Sequence, residues 1–174
     1  MTKMTLCRLL LLLALMCTLA GCGYRLTSSS ASSLVVGKTL WVPFIGNESI
    51  SPSAQTVLRR ALYDECHVLR GIVAADSEAS ADLYMKGKLL SYTTKAISYN
   101  AADRVSEVSL TLEVELELYK SGGLTPIWKG TLQASKVYPT NFNLALQRNA
   151  EESALDAASR IIASKFIAAT EQNY

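Results

Sequence analysis

The sequence predicts an α+β fold: a two-layer sandwich in which two α-helices pack on one face of a four-stranded, mostly antiparallel sheet. Three observations carry that expectation. Within residues 104–119, every even position from Val108 to Leu118 is Val or Leu, while Ser109, Thr111, Glu113, Glu115 and Glu117 hold the odd ones. Such alternation gives a strand one dry and one wet face, whereas a helix would scatter those leucines around its circumference. Two other stretches, 51–67 and 141–169, place apolar residues at helical spacing instead. A half-dry sheet and two half-dry helices in a chain of 174 residues have only one another to bury against.

Taken in order, the chain opens with Lys3 and Arg8, an apolar run from Leu9 to Leu15, and then Leu19-Ala20-Gly21-Cys22. These are the three parts of a secretory signal, and the last four residues read as a lipobox, where a secreted bacterial protein is acylated on cysteine and cut before it. Residues 1–21 are thus expected to be a lipoprotein signal peptide and Cys22 the site of lipid attachment. A transmembrane helix is the competing reading, but it needs about 20 apolar residues, and this run is shorter and has no basic flank after it. Each buried methylene contributes about 0.8 kcal/mol, so one acyl chain gives marginal binding and several give stable anchoring. Bacterial lipoproteins carry several, palmitate among them. Gly23, where Asp would signal inner-membrane retention, favours the periplasmic face of an outer membrane in a Gram-negative cell.

Residues 22–38 are rich in serine (Ser28, Ser29, Ser30, Ser32, Ser33) and read as a lipidated tether, leaving 39–174 as a single α+β domain. Residues 39–45 suit a first strand, with Leu40, Val42 and Phe44 on one face and Trp41 and Pro43 on the other. Pro43 cannot donate to a ladder and puts this strand at an edge or a bulge. Gly46-Asn47-Glu48-Ser49 breaks it. Ser51 as cap and Pro52 in the first turn begin a helix expected to reach about His67, with Ala54, Val57, Leu58, Ala61 and Leu62 on its dry stripe. Residues 68–82 are transitional, with a short extended piece at Ile72 and Val73.

From Leu83 the period is two, with Leu83, Met85 and Leu89 opposite Tyr84, Lys86, Lys88 and Tyr92. Residues 93–103 then join this strand to the long alternating one in a long-tipped hairpin. After the turn Ser121-Gly122-Gly123, Trp128, Leu132 and Ala134 alternate with Lys129, Thr131, Gln133 and Ser135 in a last strand ending at Pro139. The closing helix carries Leu155, Ala158, Ile162 and Phe166, widened by Ala154 and Ile161. If the first strand pairs with the second across the first helix, that crossover is right-handed.

Lys3 and Arg8 account for the formal charge of +2. The rest is balanced, which argues against nucleic-acid binding. Of the four cysteines, only Cys66 lies beyond Cys22, so no internal disulfide is expected. Cys66 beside His67, the one histidine, falls short of a metal site, which takes three or four ligands. There is no Gly-Xaa-Ser-Xaa-Gly elbow, phosphate-cradling glycine loop or His-Glu-Xaa-Xaa-His. We therefore expect no catalytic residue, cofactor or metal.

The arrangement as a whole resembles the LptE family of lipopolysaccharide-assembly lipoproteins. The resemblance rests on Gly21-Cys22-Gly23-Tyr24-Arg25-Leu26, Val42-Pro43-Phe44 with Asn47 and Ser49, and Ala61-Leu62-Tyr63. Ala81-Asp82 leading to Gly87, the alternating strand, Ile127-Trp128 after a glycine turn and the alanine-rich last helix complete it. It implies two helices on a four-stranded sheet, seated in the lumen of an LptD-like outer-membrane β-barrel, and contact with lipopolysaccharide through basic side chains. Lipid phosphates favour Arg and Lys. Lys95 and Arg104 near the hairpin tip, with Lys86 and Lys88 on the wet face, are the candidates. A stand-alone periplasmic carrier of a lipid or small apolar ligand is the alternative.

Overall fold

The structure, a computed structural model, describes residues 37–172; the signal segment, Cys22 and the tether up to residue 36 lie outside them. The elements are β1 (Thr39–Trp41), β2 (Gly46–Asn47), α1 (Ala54–Tyr63) with a π-helical continuation (Asp64–Leu69), and β3 (Val73–Ala74). After a 3₁₀ turn (Glu78–Ser80) come β4 (Leu83–Tyr99), β5 (Val105–Lys120), β6 (Trp128–Pro139) and α2 (Leu144–Gln172).

The sheet is mixed and has six strands among the described residues, ordered β3-β1-β4-β5-β6 with β2 also beside β4. This corrects the expected four-stranded, mostly antiparallel sheet. The meander β4-β5-β6 is antiparallel as expected, but β1 runs parallel to both β3 and β4, and β2 parallel to β4. Proline explains the split of the first strand. Pro43 has no N–H to give, so pairing stops at Trp41 and resumes at Gly46–Asn47, the residues expected to break it, which pair with Lys88 and Leu89. Arg59 answers the carbonyls left by that break, donating from Nε to Pro43 O at 3.1 Å and from Nη2 to Val42 O at 3.3 Å. Its guanidinium sits 5.5 Å from the Phe44 ring. Phe44 is 70% exposed, contrary to its expected place on the dry face, and Ile45 is buried instead.

The first helix starts later than the Ser-Pro signal suggests, because Ser51 belongs to an Asn47-centred turn. Asn47 Nδ2 donates to Ser51 O at 2.8 Å, and Asn47 Oδ1 accepts from Ser49 N at 2.9 Å. Side-chain to backbone bonds of this kind compete with helix initiation. At the other end the helix widens into π turns, and Gly71 stops it with a φ of +65°. Ile72 N then donates to Cys66 O at 3.1 Å. The second helix is capped by Asn143, whose Oδ1 accepts from Ala145 N at 2.9 Å.

One dry layer results. Leu110, Leu112, Val114, Leu116 and Leu118 are fully buried, together with Leu83, Met85 and Leu89 of β4. Leu155, Ala158, Ile162 and Phe166 of α2 and Leu58 and Leu62 of α1 cover them. Trp128 meets Phe166 edge-on at 5.2 Å. Ile161, expected on this stripe, is 37% exposed; Ala163 is buried in the layer.

β4 departs from its expected alternation at Leu90, with further register shifts between Ala96 and Ser98 and between Ser98 and Tyr99. Register with β5 shifts between Leu89 and Ser91, a bulge that leaves Leu90 without an opposite number. Before it the odd residues face the helices; after it Tyr92, Thr94 and Ala96 do, opposite Leu112, Leu110 and Val108. Tyr92, expected on the wet face, therefore lies on the helix side, where its hydroxyl donates to Glu151 of α2.

Candidate functional site

The wet face of β4-β5-β6 is ordered in rows. At its base Trp41, Tyr84 and Tyr119 are register partners, and the two tyrosine rings stack 5.0 Å apart at 6°. Lys86 lies over them, its Nζ 4.8 Å from the Tyr119 ring centre and 5.5 Å from that of Tyr84, a cation–π arrangement. The next rows alternate in sign. Lys129 reaches Glu117 at 2.6 Å and Glu115 at 3.1 Å, and Lys88 reaches Glu48 at 2.9 Å. Lys86, Gly87, Lys88, Glu115 and Glu117 line a shallow depression of about 280 Å³.

These contacts show in the titration of the groups. Hydrogen bonds from Lys129 and then Tyr119 hold the Glu117 carboxyl below the ordinary range. The bond to Glu48 raises Lys88, and the bonds to Glu117 and Glu115 raise Lys129. Solvent screens exposed pairs of this kind, and this patch is a self-neutralised surface more than a reservoir of free charge.

The other two candidate cations stand at the far end of the hairpin. Lys95 is on the same face as Lys86 and Lys88, opposite Ser109, and among the described residues no carboxylate pairs with it. Arg104 follows a tip shorter than expected, since the strands continue to Tyr99 and from Val105. Asn100 folds that tip, its Oδ1 accepting from Ala102 N at 2.9 Å and Arg104 N at 3.1 Å, and Asp103 takes a φ of +54°. The segment after β6 is drawn against the hairpin end, with Thr140 N donating to Ser106 O at 2.9 Å and Thr140 Oγ1 to Val105 O at 2.5 Å. Phe142 thereby sits 5.5 Å from the Arg104 guanidinium.

Sequence reasoning missed the apolar half of this end. Ile97, Tyr99, Val137, Phe142, Leu144 and Leu146 are all exposed, Phe142 by 89%. Exposed large apolar side chains gathered at one place mark a surface that meets something. The signal was present in Phe142, Leu144 and Leu146, which precede the dry stripe of α2 and had no face to join. The structure thus divides the four candidates into Lys86 and Lys88 near the base of the wet face, and Lys95 and Arg104 at the hairpin end.

Burial pushes the Cys66 thiol up to about 12, with the Glu65 charge adding to it, so the thiol is not poised as a nucleophile. Its neighbour His67 donates from Nδ1 to the Ile72 carbonyl at 2.8 Å. Among the described residues no cluster of three or more His, Cys, Asp or Glu is placed to hold a metal, and no helix is long and apolar enough to cross a membrane.

A family model described as LptE: Lipopolysaccharide-assembly matches residues 37–170. No curated protein matches the chain. Among solved structures, the hypothetical protein CT253 from Chlamydia trachomatis superposes with a TM-score of 0.54 at 10% identity, over 76% of this chain and 95% of that one. The PelC dodecamer from Paraburkholderia phytofirmans gives 0.50 at 14% identity, over 82% and 92%. The rare lipoprotein B from Shewanella oneidensis gives 0.48 at 16% identity, over 78% and 97%. Likeness to the first two is a likeness of fold.

Proposed function

The chain belongs to the LptE lipopolysaccharide-assembly family, a non-enzymatic family of envelope lipoproteins, and from that premise we propose that it is the lipoprotein partner of an LptD-like outer-membrane β-barrel. In this reading residues 1–21 are removed and Cys22 carries the acyl chains. The protein is held on the periplasmic face of the outer membrane, with residues 22–38 as its tether. The folded part plugs or chaperones the barrel, and its hairpin end contacts lipopolysaccharide.

The observation that carries the contact is the composition of that end. Lys95 and Arg104 supply cations without carboxylate partners among the described residues, beside exposed Phe142, Leu144 and Tyr99. A phosphorylated amphiphile presents the matching pair of chemistries, since its phosphates take charge-assisted hydrogen bonds and its acyl chains take apolar surface. Lys88 is less suited because Glu48 already holds it, and Lys86 is committed to two tyrosine rings. The carrier alternative has less support. The dry layer is filled by side chains from both helices, and the groove of about 640 Å³ between α1 and α2 is lined by Arg60, Asn149, Glu152, Asp156 and Arg160 among others.

The test is a titration of the full-length protein with fluorescent lipopolysaccharide. Lys95→Ala combined with Arg104→Ala is expected to weaken binding by at least about tenfold, as losing charge-assisted bonds would, and Lys88→Ala to change it little. Unchanged affinity in the double variant would remove these residues from the contact.

A further inference from the structure

β6 and the distal half of β4 both carry backbone groups without a ladder partner among the described residues, and they differ in how they are guarded. The β6 edge is blunted. Lys129, Lys136 and Pro139 lie along it, and Lys165 reaches over from α2 to donate to the Gln133 carbonyl at 2.7 Å. Charges, proline and covering side chains are the usual means by which sheets discourage edge pairing. On the opposite side, β1 and β2 accompany β4 only as far as Leu89, where Glu48 N donates to Leu89 O at 2.9 Å. From 91 to 96, β4 holds an unbroken register with β5, and no other described strand pairs with it. This run of about 20 Å contains no proline and one charged residue, Lys95.

The helix layer ends at the same place. Because α1 begins only at Ala54, a pocket of about 250 Å³ opens between its start and α2, lined by Ser51, Ser53, Tyr92, Arg148, Glu151 and Glu152. Glu151 accepts from Tyr92. Among the described residues neither Glu151 nor Glu152 has a cation in ion-pair reach, and Arg148 has no carboxylate. Two carboxylates against one guanidinium leave the pocket acidic.

We infer that residues 91–96 of β4 form a docking edge for an extended segment of a partner protein, which adds a strand in line with β2 and places a basic side chain in the Glu151–Glu152 pocket. A row of free N–H and C=O groups is matched by another backbone, and the acidic pocket selects against a phosphorylated lipid. Strand order favours the same occupant, since a segment there would continue the path that β2 leaves at Asn47. The inference rests on the assembly-subunit reading and specifies where the partner binds.

Amide hydrogen exchange tests it on two samples of the full-length protein: purified alone, and within the assembly recovered from its own envelope in mild detergent. Alternate amides of residues 91–96 are expected to slow by about a hundredfold or more in the assembly, with β6 amides unchanged. Glu152→Lys, which removes no hydrogen bond of the fold, is expected to cut partner recovery at least tenfold while the isolated variant melts like the wild type. A partner recovered with residues 91–96 exchanging equally in both samples, or with protection moved to β6, overturns the docking edge alone. Recovery of no partner protein overturns it together with the assembly reading.

Discussion

A Cβ placed on Gly87 would lie 2.7 Å from both Ile45 Cδ1 and Leu116 Cδ2, in the middle of the fully packed layer. Gly87→Ala is therefore expected to cost about 1–3 kcal/mol, the usual range for overpacking, read as a lower urea midpoint with an unchanged slope. Titration tests other single groups. Burial, then the hydrogen bond to Glu151, raises the Tyr92 phenol well above its ordinary value. The bond to Glu117 raises Tyr119, burial raises Tyr138, and burial pushes Cys66 up to about 12. Each of these groups holds its proton more tightly when folded. Its contribution is complete below the unfolded value and is lost as pH rises through the folded one. The melting temperature is thus expected to fall progressively above about pH 9, and Tyr92→Phe to soften that fall. A flat profile up to pH 12 would contradict the burial assigned to these residues. At this scale the sequence was readable where a residue had one possible role, as for Cys66. It was not where the role depended on a neighbour far along the chain: nothing near Arg59 shows that it will serve the carbonyls of Val42 and Pro43.

Leu90 acts on a whole element. It is the extra residue of a bulge, and deleting it would join Leu89, opposite Val114, directly to Ser91, opposite Glu113, a regular alternation that keeps Tyr92, Thr94 and Ala96 on the helix side. A one-residue slip reverses every side chain beyond it. Inserting one alanine between Ser91 and Tyr92 is therefore expected to cost at least about 3 kcal/mol, in the range of disrupted core packing, and to abolish the Tyr92 to Glu151 bond, whereas deleting Leu90 leaves that bond in place. Near-wild-type melting would mean that the distal strand finds its facing some other way. The bulge also marks the limit of reading from pattern. Uninterrupted alternation made β5 plain, and the stripe from Leu155 to Phe166 made α2 plain, because a period repeated several times is hard to mistake. β2 and β3 have two residues each and β1 three, too few to display any period. Their pairing is parallel and bridges long sequence separations, so only the assembled sheet defines them. The first helix was placed correctly but begun early, since Ser51 carries a cap signal that Asn47 takes for a different turn.

Within the described residues β4 is the longest strand. The described chain enters beside its first residue, where Thr39 N and Oγ1 both donate to Asp82 at 2.9 Å, and the exposed apolar and basic group stands at its other end. Seventeen residues of strand separate the two, roughly 50 Å. The overall class was legible because two helices and three clear strands leave few ways to bury their dry faces, and the family resemblance spanned nearly the whole region after Cys22. The candidate site was half legible. Charge is visible in sequence, so Lys95 and Arg104 could be named as candidates, but the exposure of Phe142 and Leu144 depends on where α2 stops touching the sheet. We propose that this lipoprotein works as part of a barrel assembly. The most direct test is to purify the tagged full-length protein from its own envelope in mild detergent and identify what co-elutes by mass spectrometry. The expected result is a large outer-membrane β-barrel in stoichiometric amount, with lipopolysaccharide present. Recovery of the protein alone, or with only an apolar lipid bound, would overturn that role and favour a carrier.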